Sequence, residues 1–368
     1  MDSKQYQLKF TTKDITKAGK LLKRYGVVVI EDVFTPEECN DIMTYITTDI
    51  QKLSSNKIDI STLKTTKKTW TDDKLFPQTR KGLHQRGYSY LGWSVRQDPR
   101  VNNIFKELYT YIRDYEVDEL VTSIDAINIR PPIEPFCDDK TADWAHLDQT
   151  RTDNIYSCIQ GQVVLTNTSA GFVCSPKSHK VFVNIIDKYV PENKSKEQFF
   201  KFNKNDYNDI KSMVEDDAKG RWQIPIIVEK GSMILWLSST VHSAKLADYD
   251  QVIEKENTCK CKDSILANLK DFDKNDRWRY WRGVIYVCQR PKSEVTKRNM
   301  TTLQNSYDNN RTTNHWGNRM FSTVPFPYDV KKHSEKMQRW IKDPELIFEE
   351  GDVEKPKLTE LGKSLLGM

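Results

Sequence analysis

The chain has 368 residues, with 57 Lys and Arg against 52 Asp and Glu for a net charge of +5, and a mean hydropathy of −0.70. That length builds one large domain or two modest ones around a self-sufficient core. The charge is too slight, and too evenly spread, to demand a nucleic-acid partner. No apolar run approaches the ~18 residues of a membrane span, so no membrane insertion is expected.

The Lys-rich stretch from Lys64 to Lys68 reads as a solvated face. Seven cysteines stand at positions 39, 137, 158, 174, 259, 261 and 288. An odd, scattered set fits reduced thiols in a reducing compartment. Cys259-x-Cys261 has no second pair nearby and reads as a surface loop, not a metal site. The opening residues Met1-Asp-Ser-Lys-Gln lack the charged-then-apolar signal pattern. A cytoplasmic or nuclear location follows as the expectation.

Residues 13–25 carry apolar positions at helical spacing and lead into Gly26-Val-Val-Val-Ile30, a β-branched run that predicts a buried strand. Thr35-Pro-Glu-Glu38 has the form of a capped helix start: Thr35 caps, Pro36 takes the first position and Glu38 completes a capping box. The helix continues through Ile42, Met43 and Ile46. Residues 54–82 are polar and predict a long loop or lid. Val101 to Tyr115 is again amphipathic.

From about 121 the texture changes to short strands: Ala126 to Arg130, Tyr156 to Thr166 and Phe182 to Ile186. Residues 187–222 are charged and helix-like, and read as an insertion. Strands resume at Ile224 to Val228, Met233 to Leu237 and Gly283 to Cys288. Helices followed by many short strands predict a mostly β fold, a sandwich or barrel with flanking helices. Residues 296–368 are polar and interrupted by Pro325, Pro327, Pro344 and Pro356. They are expected to wrap the core within a single domain.

Side chains at i and i+2 of a strand share a face, so His146 and Asp148 project together and Leu147 points away. By itself the pair is weak, and a surface His beside an Asp is the competing reading. Order and context add weight. His242 ends the run Gly231-Ser-Met-Ile-Leu-Trp-Leu-Ser-Ser-Thr-Val, a turn and strand that deliver a second imidazole. Two His and one carboxylate form a three-point face for iron(II) with open positions for substrate and O2. Arg282 opens the next strand and shares a face with Val284 and Tyr286. Its guanidinium matches the far carboxylate of 2-oxoglutarate. Arg277 and Arg279 are competitors of opposite parity. Gln160 and Asn128 are candidate contacts to the ligands or cosubstrate, with a structural role as the alternative.

With these residues in view the chain resembles the phytanoyl-CoA dioxygenase-like family of iron(II)/2-oxoglutarate oxygenases. Gly26-Val-Val-Val-Ile-Glu-Asp-Val-Phe-Thr-Pro-Glu-Glu-Cys39 is similar to that family's opening strand and helix. Gly171-Phe-Val-Cys-Ser-Pro-Lys-Ser-His179 is similar to its Gly-Gly-x-x-x-x-Pro-Gly-Ser-His segment, with Ala170 and Lys177 in place of two glycines. His179 belongs to that segment and is not assigned to the metal. Lys230-Gly-Ser-Met-Ile-Leu-Trp236 matches the run before the second His. Trp93-Ser-Val-Arg-Gln-Asp-Pro-Arg-Val101, Thr312-Thr-Asn-His-Trp316 and Leu358-Thr-Glu-Leu-Gly-Lys363 resemble stretches of uncharacterised large-DNA-virus and protist relatives.

The resemblance implies a double-stranded β-helix, a jelly-roll or cupin-like core over about 121–295. A helical part over about 1–120 would precede it, and the wrapping extension 296–368 would follow. It implies iron(II) on His146, Asp148 and His242, 2-oxoglutarate held by Arg282, O2 as oxidant and hydroxylation as the outcome. Ser243 is a further cosubstrate candidate, although the family's Ser stands one position later. The family keeps its second His and its Arg about one loop apart, so residues 248–276 read as an insertion.

The substrate is expected to be a small molecule or a protein side chain, with Trp144 and the run Tyr88-Ser-Tyr90-Leu-Gly-Trp93 as candidate pocket walls. A nucleic-acid oxygenase is the second reading, from the interleaved Arg277-Trp-Arg-Tyr-Trp-Arg282. A binding module that keeps the fold without turnover is the third. Oligomeric state is not legible.

Overall fold

The long central strands bury both faces, so their sheet must lie between two other layers. The computed structural model describes residues 10–53, 83–84, 92–130, 144–168, 171–195, 197–245, 250–253, 259–262, 276–278, 281–309, 311–319 and 357–368. The predicted loop 54–82, Tyr88, Tyr90, Arg279 and most of the 248–276 segment lie outside them.

The first half runs β1 (Thr11–Thr12), α1 (Ile15–Tyr25), β2 (Val27–Ile30), α2 (Pro36–Leu53), β3 (Leu83–His84), α3 (Trp93–Arg96), α4 (Pro99–Arg113), β4 (Leu120–Thr122), β5 (Ile127–Arg130) and β6 (His146–Leu147). Then come β7 (Ile159–Val164), β8 (Phe172–Cys174), α5 (Phe182–Tyr189), β9 (Phe200–Lys201), α6 (Tyr207–Ser212), β10 (Ile224–Ile226), β11 (Met233–Leu237) and β12 (His242–Ala244). The chain continues through β13 (Asp250–Ile253), β14 (Cys259–Lys262), β15 (Arg282–Val287), β16 (Gln289–Pro291), α7 (Lys297–Asp308) and α8 (Glu360–Leu365).

Seven strands form one sheet in the order β1-β2-β11-β7-β15-β5-β3, and five form a second in the order β10-β8-β12-β6-β9. Strand alternation sorts the large sheet's side chains. Val28, Ile30, Met233, Leu235, Ile285 and Val287 face the helices, where they pack with Leu22, Met43, Ile46 and Phe105. Val27, Val29, Val164, Ile234, Trp236 and Val284 face the small sheet and meet Phe172, Cys174 and Ile226. The Phe172 and Trp236 rings, one from each sheet, lie 4.3 Å apart. Behind the small sheet, Ala145 and Leu147 pack on Phe182, Ile185, Tyr207 and Ile210. Each such aliphatic or aromatic burial stabilises by about 1.5–3 kcal/mol over exposure. The fold is mixed, with two facing sheets and helices on both outer sides.

The predicted capping box forms. Thr35 N donates to Glu38 Oε2 at 2.7 Å, and Glu38 N donates to Thr35 Oγ1 at 3.2 Å. Helix α1 ends at Gly26 in the left-handed region, φ 74°, where its N–H reaches the Leu22 carbonyl.

One expectation fails. Phe182–Ile186 is the start of helix α5, not a strand. Phe182, Ile185 and Ile186 are buried while Val183 is exposed, and this is helical rather than two-fold periodicity. The 187–222 segment is helix-rich and lies between the paired strands β8 and β10, and it adds β9, which pairs with β6 through Lys201 and His146 and extends the small sheet. Among the described residues no helix is long and apolar enough to cross a membrane.

Candidate metal centre

The small sheet places the two imidazoles opposite each other. β12 and β6 are antiparallel with His242 and His146 in register. Their ring centroids are 4.1 Å apart. Asp148 follows two residues after His146, where the strand has ended and the Asp148 N–H reaches the Ser238 carbonyl at 3.2 Å. Asp148 Oδ2 is 3.1 Å from His242 Nε2, and Asp148 Oδ1 is 3.8 Å from His146 Nε2. One donor atom from each of the three residues lies within 4.8 Å of the others. All three are buried, at 5, 8 and 4% exposure for His146, Asp148 and His242.

The rings are oriented by the backbone. His146 Nδ1 is 3.2 Å from the Trp144 carbonyl, and His242 Nδ1 is 2.8 Å from the Thr240 carbonyl. A ring nitrogen facing a carbonyl carries the proton and donates it, so on each ring it is Nε2, turned toward Asp148, whose lone pair a bound metal would take. Burial, aided by the neighbouring His242, pushes the His146 imidazole down to about 3. Burial alone would raise the Asp148 carboxyl, but His315, His146 and His242 around it hold it far below the usual carboxylate range. His146 is therefore held as a neutral imidazole and Asp148 as a carboxylate, the ionisation states in which such groups bind a divalent metal. The side chains present fit iron(II) by donor type, number and orientation.

Gln160 Nε2 donates to Asp148 Oδ2 at 2.9 Å. Gln160 Oε1 and Gln162 Oε1 are buried without a protein partner among the described residues. Both side chains come from β7 and face the small sheet. They line, with the triad, a cavity of about 160 Å³ between the sheets. Arg282 and Tyr286 of β15 line it too, and Arg282 Nη2 lies 3.4 Å from the Tyr286 hydroxyl. The predicted parity of Arg282, Val284 and Tyr286 is the one observed.

The other candidates are placed as follows. Asn128 lies on the same face of β5, across from Val284. Its Oδ1 is buried without a partner among the described residues, but Asn128 is not among the residues lining the cavity. Ser243 lines the cavity, yet its hydroxyl donates to Gln223 Oε1 at 2.5 Å. His179 stands apart from the triad, its Nε2 3.1 Å from the Lys23 carbonyl. Trp144 stacks on His146 at 4.3 Å between centroids. Trp93 does not wall the pocket: it is fully buried in the helix-side core, against Tyr307. Trp278 and Trp281 are also buried, edge to face at 5.4 Å, so neither presents a ring for base stacking.

Sequence reasoning missed Asp125 and His315, which line the same cavity, and Arg130, buried directly across from Arg282. Thr312-Thr-Asn-His-Trp316 stood out as a motif, but nothing in its spacing pointed to the metal.

No family model matches the chain. The Aspergillus versicolor protein named Ava biosynthesis cluster protein O is 26% identical over 251 residues, spanning 64% of this chain and 74% of that one. A Salmonella typhimurium LT2 protein, provisionally named an oxidoreductase, aligns over 95% of this chain and 82% of its own. The TM-score is 0.50 at 14% identity. The two share a fold. The epimerase SnoN of nogalamycin biosynthesis, solved with Fe3+, alpha ketoglutarate and nogalamycin RO, aligns over 75% of this chain and 82% of its own. Its TM-score is 0.40 at 11% identity.

Proposed function

We propose that this protein is a non-haem iron(II)/2-oxoglutarate-dependent dioxygenase that hydroxylates a small molecule or a protein side chain. The carrying observation is the buried convergence of His146, Asp148 and His242, with both Nε2 atoms freed by backbone acceptors. The two facing sheets fit the jelly-roll core of the phytanoyl-CoA dioxygenase-like family, which the sequence motifs resemble.

His146, Asp148 and His242 would hold the iron, and Gln160 keeps the Asp148 carboxylate turned toward both rings. Iron with 2-oxoglutarate and O2 supplies the oxidising chemistry, with succinate and CO2 as coproducts. The protein's own part is placement. Arg282 presents its guanidinium at the cavity wall and suits the far carboxylate of 2-oxoglutarate in a bidentate fork. Tyr286 braces that guanidinium. The aromatic rings of Trp144, Phe172 and Trp236 exclude water from the centre and strengthen each polar contact inside it.

The test is anaerobic reconstitution with iron(II), followed by measurement of bound iron and of succinate released on admitting O2. One iron per chain and 2-oxoglutarate-dependent succinate are expected, and His146→Ala and Asp148→Ala should lose both while remaining folded. Stoichiometric iron without any succinate would favour the binding-module reading.

A further inference from the structure

The motif Thr312-Thr-Asn-His-Trp316 is built over the cavity. Thr313 N donates to the Ile124 carbonyl at 2.7 Å, and Ile124 N donates to Thr313 Oγ1 at 3.0 Å. Asn314 Nδ2 donates to Gln198 Oε1. Trp316 Nε1 donates to the backbone carbonyl of Asp148 at 3.0 Å. These bonds tie one short segment to the residue before Asp125, to a metal-site residue and to the loop before β9. Thr312 and Thr313 are fully buried. The segment is thus a fixed strap, and His315 lies within it.

The His315 ring is only partly buried. Its Nε2 is nonetheless sealed from solvent and has no protein partner among the described residues. A buried polar atom left unpaired is costly, and where a native structure keeps one, an ordered water, an ion or a ligand can satisfy it. His315 and Asp125 both line the cavity that holds the triad. Burial raises the Asp125 carboxyl while the nearby His315 opposes that rise, so the two groups are electrostatic neighbours. Asp125 Oδ1 accepts from Ala126 N at 2.6 Å, and Arg96 Nη2 bonds the Asp125 carbonyl from below. The acid is therefore held in place by its surroundings.

We propose that His315 and Asp125 form the substrate-recognition end of this pocket, and that they receive a neutral hydroxyl carried on an apolar ring. A carboxylate can only accept, whereas an imidazole nitrogen can donate. A hydroxyl does both and can satisfy the two at once. A carboxylate ligand would set its acceptor oxygens against those of Asp125, and the guanidinium suited to an anion, Arg282, stands in register with Arg130, five positions along the chain from Asp125. Trp144 and Phe172 offer apolar faces for the ring itself. That the bound molecule is what the enzyme oxidises rests on the iron/2-oxoglutarate reading. The hydroxyl preference does not.

The test is equilibrium dialysis of p-cresol, toluene, p-toluate and 4-methylbenzylamine against the full chain loaded with iron(II) under nitrogen, with and without 2-oxoglutarate. p-Cresol should bind at least tenfold more tightly than the other three. That preference should collapse in His315→Phe and in the near-isosteric Asp125→Asn, with p-cresol affinity falling to that of toluene in both and iron content unchanged in Asp125→Asn. Asp125→Asn covers the case in which the His315 variant fails to fold. Equal binding of p-cresol and toluene, tighter binding of the acid or the amine, or a preference that survives both substitutions would each overturn the proposal. If p-cresol is preferred but 2-oxoglutarate neither binds nor turns over, the cosubstrate reading fails and this one stands.

Discussion

Gln160 Nε2 donates 2.9 Å to Asp148 Oδ2, the same oxygen that lies 3.1 Å from His242 Nε2. One carboxylate oxygen is thus fixed between an amide and an imidazole, and the other is left toward His146. Groups that orient a metal ligand commonly carry a factor of about 10–100 in metal affinity. Gln160→Leu should weaken iron(II) binding by that order while the fold persists. A competitive chelator titration reads it directly. Unchanged affinity would mean that Asp148 is held well enough by its own backbone bond to Ser238 and by Trp316.

Arg282 is buried at the cavity wall and supplies none of the three donor atoms. Its loss should therefore separate cosubstrate from metal. Arg282→Ala should raise the 2-oxoglutarate concentration needed for half-maximal succinate release about 10- to 100-fold, the worth of a charge-assisted pair. Iron affinity should stay within about twofold. Lys at this position should rescue only in part, because a point charge cannot make the bidentate fork. A parallel fall in iron affinity would place Arg282 in the scaffold of the centre instead.

Two buried imidazoles give the metal-free protein a pH dependence of definite sign. Burial, with His242, pushes His146 down to about 3, and burial pushes His179 down to about 4. An unfolded imidazole takes up its proton near pH 6.5. Between pH 6.5 and about 4 the unfolded chain therefore binds more protons than the folded one, and stability falls as pH falls. Each imidazole contributes about 1.4 kcal/mol per pH unit across that window. Urea unfolding of the metal-free protein at a series of pH values measures the slope. Saturating iron(II) should protect it, since a bound metal competes with the proton on His146. A flat profile over this window would show that both rings stay hydrated.

Much of this was legible in the residues. His146, Asp148 and His242 declare themselves through strand parity and through the turn-strand run before His242, because both signals are local. Arg282 is readable for the same reason: two-fold periodicity decides which side chains of β15 face the other sheet. What escaped depends on long-range packing. β9 is two residues long and pairs with β6 across more than fifty positions, far too short a run to show a period. The start of α5, Phe182 to Ile186, is apolar and short, the case in which strand and helix look alike. Asp125 and His315 meet only because Thr313 pairs with Ile124 across 189 positions, which no pattern along the chain encodes. Lys177 is a different lesson. It occupies a left-handed position, φ 72°, which favours glycine, so the turn forms without its preferred residue.

Gly26 joins the end of α1 to β2 and lies under His179. Its φ is +74°, and a Cβ there would come within 2.5 Å of both His179 Nδ1 and Thr240 Oγ1. Its carbonyl accepts from Thr240 Oγ1 at 2.9 Å and from Leu237 N at 3.0 Å, which locks the turn onto the strand end before His242. Gly26→Ala therefore combines a disfavoured backbone conformation with a steric clash. It should cost about 2–4 kcal/mol, roughly 1–2 from the left-handed backbone and the rest from displaced neighbours. Because Thr240 also orients His242 through its carbonyl, the same variant should weaken iron(II) binding although position 26 lies outside the cavity. Denaturant midpoints and iron titration on one preparation measure both effects. Lost stability with fully retained iron affinity would show that the clash relaxes toward His179 and leaves the Thr240 to His242 link undisturbed.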